Sequence, residues 1–278
     1  MSTKKYAVIG CPIGHSLSPF IHEKLFKLDN IDATYEALCI EDLDKDYETL
    51  KKLDGYNVTI PHKIGIINRL DVISKKAKLC ESVNTVKNDE LSYGYTTDGY
   101  GFLEAVKSKC DEKSLKNVLI YGYGGAARAI AFECIENGYS VAFATREKSL
   151  SNCNKLADEI LFKLNVKPQV YTIGNIDMDK KFSLLVNATP VGMYPNVDDC
   201  VADDEVINNS YAVFDAVYNP LKTVLLKKAE EMGKIAISSI EMLVYQAAKA
   251  HEIWVNAKYN DSDLQKICRE TEEKLKKG

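Results

Sequence analysis

The sequence predicts an α/β protein with an N-terminal α/β unit containing a mainly parallel sheet, a doubly wound nucleotide-binding unit, and C-terminal helices that pack back on the first. Three observations predict it. Short apolar runs alternate with helical stretches along most of the 278 residues, as parallel sheets with helical crossovers require. A strand runs into a glycine turn and straight on into a helix over residues 117–136, the opening of a mononucleotide-binding half. The residues after 239 are helical and too few to form a domain of their own.

Taken in order, the first region offers strands at Tyr6–Gly10, Thr34–Cys39, Gly55–Ile60, Thr85–Asn88 and Leu91–Thr96. Pro61 suits the first position of a helix after the third of these, which would put His62 and Lys63 in its first turn. The partial positive charge at a helix N-terminus disfavours a cation there. Such a lysine is either solvated, as most are, or kept for a perturbed chemistry. The second region offers strands at Asn117–Tyr121, Ser140–Thr145, Gln169–Ile173, Leu184–Ala188, Ala212–Ala216 and Ala236–Ser238, with helices at Ala127–Glu136 and Ser149–Leu164. Helices follow at Ile240–Trp254 and Ser262–Lys277. The expected division is 1–102, completed by 239–278, and 103–238, the two facing each other across a cleft.

Composition excludes several classes. Thirty-six basic residues stand against 40 acidic ones, and no arginine-rich block suggests nucleic acid or an anionic membrane as a partner. No apolar run approaches the length of a membrane span, and the first strand begins too early for a secretion signal. The eight cysteines show no CxxC pair, so they read as reduced thiols of a cytoplasmic protein rather than disulfides or zinc ligands. His15 and His22 bracket a helix start without an acidic or cysteine partner, so no metal site is expected.

Gly122-Tyr123-Gly124-Gly125-Ala126-Ala127 fits G-x-G-x-x-G/A between a strand and a helix. Gly122 would allow the turn, Gly124 the approach of backbone to a pyrophosphate, and Ala127 close helix packing; Gly125 and Ala126 line the same loop. The next strand ends Thr145-Arg146-Glu147-Lys148. Arg146, with Lys148, suits the 2′-phosphate of NADP, and Glu147 is the residue that leaves NAD possible.

Other segments are hard to explain by packing alone. Ser16 and Ser18 lead into a helix at Pro19. They serve either as turn and N-cap residues or, with the helix N–H groups, as a carboxylate site. Asp98 precedes a helix as a plain N-cap would, and Met242 and Gln246 lie one turn apart on another.

In this order, GCPIGHSLSP, NVTIPHK, SVNTV, TTDGYGF, GYGGAARA, NATPVGM, DAVYNP and EMLVYQAA resemble the shikimate dehydrogenase family, over Gly10 to about Trp254. The resemblance implies an NADP-dependent oxidoreductase that interconverts 3-dehydroshikimate and shikimate in chorismate biosynthesis, a small-molecule substrate, and a monomer or homodimer. By matching motif positions it implies Lys63 and Asp98 as the catalytic pair. It implies Ser16 and Ser18 for the substrate carboxylate, and Asn57, Thr59, Asn84 and Gln246 for its hydroxyls. Tyr218, a further substrate-binding residue, would border the cofactor cleft with Asn187 and Thr189, and Met242 would lie near the nicotinamide. The chain departs from the family pattern at Glu23, Thr96, Thr145, Glu147, Ser239 and Glu241. Those departures keep open a quinate/shikimate dehydrogenase using NAD, and a non-catalytic paralogue binding the same ligands. A module of a longer aromatic-pathway polypeptide is a further expectation.

Overall fold

The structure, a computed structural model, describes residues 3–14 and 16–277. His15 therefore lies outside the described residues. The chain divides into two compact units, Met1–Gly101 with Leu243–Gly278, and Phe102–Met242.

The first unit contains β1 (Lys4–Gly10), α1 (Ser18–Leu28), β2 (Ala33–Cys39), α2 (Leu43–Leu50), β3 (Gly55–Val58), β4 (Val72–Ile73), α3 (Lys75–Cys80), β5 (Thr85–Asn88) and β6 (Ser92–Tyr95). Their order across the sheet is β2-β1-β3-β5-β6-β4. β1 pairs in parallel with β2 and β3, and β4 with β6, whereas β5 runs antiparallel to both neighbours. That reversal brings the exits of β1, β3 and β6 and the entry of β5 to one edge of the sheet. Ala7, Ile9, Tyr56, Val58, Val83 and Val86 are buried in one core cluster, each large apolar side chain contributing about 1.5–3 kcal/mol.

The second unit follows α4 (Asp98–Lys107) with β7 (Asn117–Tyr121), α5 (Gly125–Glu136), β8 (Ser140–Thr145), α6 (Leu150–Leu164), β9 (Gln169–Thr172), β10 (Phe182–Asn187), α7 (Asp204–Asn208), β11 (Ser210–Asp215), α8 (Val224–Glu231) and β12 (Ile235–Ile237). All its strands are parallel, in the order β12-β11-β10-β7-β8-β9. β7 is buried along its length after Asn117, the continuous apolar run of a strand covered on both faces. The order reverses between β7 and β10, and such a switch point opens a crevice at the strands' carboxyl ends.

The chain ends in α9 (Ser239–Val255) and α10 (Asp261–Lys277). Leu264, Ile267, Cys268 and Thr271 form the buried stripe of α10, at the 3–4 residue spacing of an amphipathic helix. On α9, the Trp254 indole donates to the Val86 carbonyl at 2.8 Å and stacks on Tyr6. Among the described residues no helix is long and apolar enough to cross a membrane.

Three expectations need correction. Pro61 does not open an α-helix: Ile60-Pro61 is cis, residues 60–64 form turns, and only a 3-10 helix, Gly65–Arg69, follows. The Lys63 carbonyl accepts from the distant Val83 amide at 2.9 Å, so it is withdrawn from a local helical ladder. Lys63 thus escapes the helix-terminus penalty the sequence suggested. The cysteines are not all reduced thiols, because a disulfide joins Cys11 and Cys39, Cα atoms 4.8 Å apart. Parallel pairing of Gly10 with Cys39 creates that neighbourhood across 28 residues of sequence. Ser18 is not the N-cap of α1, because it is already helical and Leu17 takes the cap position. Instead Ser16 Oγ accepts from the Ser18 amide at 3.2 Å.

Candidate active site

The polar residues of the first unit gather where strands leave its sheet. Gly10 at the end of β1 is held close to the chain after β3. A Cβ there would meet Thr59 Cγ2 at 2.5 Å and the Ile60 carbonyl at 2.8 Å. Thr59 is anchored by its amide on the Ile9 carbonyl at 2.9 Å.

Lys63 and Asp98 are 35 residues apart, yet Lys63 Nζ lies 2.7 Å from Asp98 Oδ2. The carboxylate is nearly buried, 3% exposed, while the lysine keeps 19%, so the ammonium is the accessible member of the pair. Asp98 sits in the first turn of α4, where the helix's partial positive charge favours an anion. Its Oδ1 accepts from Asn84 Nδ2 at 2.8 Å.

Asn84 is the organiser. It is 2% exposed, and its Nδ2 also faces Thr97 Oγ1 and Gln246 Oε1, each at 3.0 Å. Its Oδ1 accepts from the Thr97 amide at 2.8 Å and the Thr85 hydroxyl at 3.1 Å. Asn57 on β3 donates through Nδ2 to the Asn84 carbonyl and Thr85 Oγ1, both at 3.1 Å. Asn57, Lys63, Asn84, Asp98 and Gln246 therefore form one connected polar network, with Thr59 beside it. The sequence did not single out Thr85 and Thr97, whose hydroxyls complete the network. No local signal marks them: Thr85 opens β5 as an ordinary strand threonine, and Thr97 lies in the short link between β6 and α4.

In the second unit the glycine loop leaves β7 at the switch point. Gly122 has φ +102°, and a Cβ would meet Thr189 Cγ2 at 2.9 Å and the Ala188 carbonyl at 3.1 Å, so only glycine fits. Gly124 precedes α5, Gly125 opens it and Ala126 follows. A Cβ on Gly124 or Gly125 meets nothing within 4 Å, leaving room for a pyrophosphate at the helix N-terminus. Arg146, Glu147 and Lys148 are exposed just past the end of β8, suited to an adenosine 2′-phosphate. The loop and its neighbours fit NADP.

Thr189 beside the loop is fixed by Asn187, whose Oδ1 accepts from its amide at 3.0 Å and its hydroxyl at 2.7 Å. Asn187 Nδ2 donates to Asp215 Oδ1 at 2.9 Å. Asp215 is fully buried and takes two more donors, the Thr223 hydroxyl at 2.6 Å and the Val217 amide at 3.0 Å. The sequence quoted its motif but gave Asp215 no role.

Burial pushes the Asp215 carboxyl up from 3.8 to about 6. A folded-state value above the unfolded one means the folded chain binds more protons between those values. Stability is then lost as pH rises from about 4 to about 6, by about 3 kcal/mol, and is flat above. Urea unfolding should show that fall in the native chain and not in Asp215→Asn. Equal slopes in both would refute the assignment.

Tyr218 follows β11 and is half-buried, which raises its phenol pKa. Met242 is buried in the first turn of α9, one turn before Gln246. Of the departures, Glu241 is paired with Lys109 at 2.9 Å and receives the Ser238 hydroxyl at 3.1 Å. Glu23 bonds Lys27 on the surface of α1 at 2.5 Å. Neither belongs to the polar network.

Residues 8–86 match the model of the shikimate dehydrogenase substrate binding domain. Shikimate dehydrogenase (NADP(+)) of Methanocaldococcus jannaschii is 41% identical over 268 residues, covering 93% of each chain. A solved shikimate dehydrogenase in complex with NADP+ superposes with a TM-score of 0.88 at 37% identity, covering 96% of this chain and 95% of that one. Shikimate 5-dehydrogenase of Thermus thermophilus, in complex with NADP(H) and shikimate, superposes at 0.84 with 30% identity, covering 96% and 99%. With such identity over nearly its whole length, this chain belongs to the shikimate dehydrogenase family.

Proposed function

We propose that the chain is an NADP-dependent shikimate dehydrogenase that interconverts 3-dehydroshikimate and shikimate. The observation that carries this reading is the Lys63–Asp98 pair at 2.7 Å, held by Asn84 within a network of hydroxyl-reading groups. In this reading the first unit, with its C-terminal helices, binds substrate and the second binds the dinucleotide. The M. jannaschii relative is named for NADP(+), and the T. thermophilus structure holds NADP(H) and shikimate; both names support the assignment.

Oxidising a ring hydroxyl to a ketone removes a hydride and a proton. When bound, NADP supplies the hydride acceptor. Lys63 Nζ takes the hydroxyl proton when its amine is neutral and returns a proton to the carbonyl oxygen when charged. Asp98 fixes the direction of that nitrogen through its contact at 2.7 Å. Asn84 in turn holds Asp98, so the proton-transfer group is positioned before substrate arrives. Ser16 and Ser18, with the amides opening α1, bind the substrate carboxylate. Asn57, Thr59, Asn84 and Gln246 read its hydroxyls, and a polar site of this kind rejects analogues lacking them. Gly122, Gly124, Gly125 and Ala126 would receive the pyrophosphate and Arg146 and Lys148 the 2′-phosphate. Asn187 and Thr189 would border the cofactor, with Met242 near the nicotinamide.

A matrix of two substrates against two cofactors tests the proposal. Shikimate with NADP should give the highest kcat/KM of the four pairs. Quinate with NAD as the far better pair, or no turnover in any, would overturn it.

A further inference from the structure

Three histidines are buried in the first unit, His22, His62 and His251. His22 and His251 answer each other, Nδ1 to Nε2 at 3.0 Å, among the rings around Trp254. His62 is used differently. It immediately precedes Lys63, and its Nε2 lies 2.5 Å from the Ile40 carbonyl oxygen. A carbonyl only accepts, so Nε2 carries the hydrogen and donates it. The roles given to the polar network leave this bond out.

The turn that carries Lys63 is held by main-chain bonds at its two ends and by one side chain between them. Residues 60–64 form turns rather than a helix, so no regular ladder fixes their direction. At one end the Ile60 carbonyl accepts from the Cys11 amide at 3.2 Å; at the other the Lys63 carbonyl accepts from the Val83 amide at 2.9 Å. The turn's large apolar side chains, Ile60 and Ile64, are 75% and 63% exposed, so packing does not anchor it. Of residues 60–64, His62 has the one buried side chain.

The acceptor that His62 meets is itself firmly placed. Ile40 directly follows β2 and is buried in the same core cluster as Val58 and Val83. Its amide donates to the Gly10 carbonyl at 3.1 Å, and the preceding residue, Cys39, is joined to Cys11. The Ile40 carbonyl is thus tied to the end of β1 from both sides of its residue. A ring that donates to so fixed an acceptor sets the turn before any ligand arrives.

We propose that His62 is a positioning residue for the proton transfer. Its bond to the Ile40 carbonyl holds the Lys63 turn against the end of β2 and so keeps Lys63 Nζ on Asp98 Oδ2 at 2.7 Å. Without it the turn can pivot on its two main-chain anchors and swing the long lysine side chain away from its partner. The inference rests on the proposed function, since it takes Lys63 as the group that moves the proton.

The test is His62→Phe, which keeps a buried ring and removes the donor. Its kcat should fall about 10-fold, short of the roughly 10²-fold that a full 1 Å displacement of a reacting group costs. The KM values for shikimate and NADP should stay within about twofold, because Lys63 acts in the transition state. His62→Gln, whose amide nitrogen can take the place of Nε2, should keep kcat within about threefold of the native chain. In a Lys63→Ala background, His62→Phe should change kcat less than about twofold, because the lysine it positions is gone. Should His62→Phe fail to fold, His62→Asn, whose donor is too short to reach Ile40, takes its place with the same expected loss. A native kcat in His62→Phe, a loss confined to KM, a His62→Gln kcat as low as that of His62→Phe, or the full loss repeated on top of Lys63→Ala would each overturn the proposal. A native chain that turns over no shikimate with NADP would instead overturn the functional reading beneath it.

Discussion

Replacing Lys63 with alanine should lower kcat about 10³-fold while the KM for shikimate changes no more than severalfold. General acid–base catalysis by one positioned group contributes about 10²–10⁴-fold, and Lys63 Nζ is the accessible basic group of the network, 2.7 Å from its carboxylate partner. Asp98 keeps its bond from Asn84 at 2.8 Å and its place at the N-terminus of α4, so the variant should stay folded. The loss belongs to the transition state rather than to binding, and should appear in kcat and kcat/KM together. Steady-state kinetics with both constants resolved checks it. A large rise in KM with kcat preserved would make Lys63 a binding residue.

Asp98→Asn should lower kcat about 10²-fold, less than the lysine change. The amide matches the carboxylate in shape and can keep its oxygen toward Asn84 Nδ2. Its NH₂ then points at the Lys63 ammonium, setting donor against donor where Oδ2 had accepted at 2.7 Å. Lys63 loses the contact that orients it toward the substrate site. The loss should therefore appear in kcat with the KM for shikimate changed no more than severalfold, a split that misfolding would not produce. Substrate binding should persist, because Asn84 and Gln246 remain linked at 3.0 Å. If Asp98→Asn keeps the native kcat, Asp98 serves only the N-terminal turn of its helix.

How much of this was legible in the sequence depends on whether the cause was local. The glycine loop was readable because Gly122, Gly124 and the strand before them act within a few residues of one another. The parallel strands of the second unit were readable because a buried run such as Val118–Tyr121 carries its own apolar signal. β4 was not seen because two residues carry no periodicity. The turn at Lys63 was misread because its carbonyl is claimed by Val83, 20 positions on, and no propensity reports such a competitor. The reversal of β5 shares that origin: it brings Asn84 to the same edge as Thr59 and Asp98, which motif order alone does not say. Cys11 and Cys39 meet only because β1 and β2 pair in register. His22 and His251 are 229 residues apart, and each alone reads as an ordinary core histidine. The candidate catalytic pair was named through the resemblance; its geometry had to come from the fold.

The polar network also explains why the departures from the family pattern leave the proposed chemistry intact. Glu241 is occupied by Lys109 and Ser238, and Glu23 lies on the solvent face of α1 with Lys27. Ser239 is buried with its hydroxyl unpartnered, and nothing in the structure accounts for that substitution.

The most direct test of the central claim, that Lys63 moves the proton held in place by Asp98, is the pH dependence of single-turnover shikimate oxidation in the native chain and in Lys63→Ala. In the native chain the rate should rise tenfold per pH unit along an acidic limb before levelling. In Lys63→Ala that limb should vanish, leaving a slow rate that responds to added small primary amines. The same limb persisting in Lys63→Ala at a merely reduced rate would place the proton transfer on another group and contradict the account.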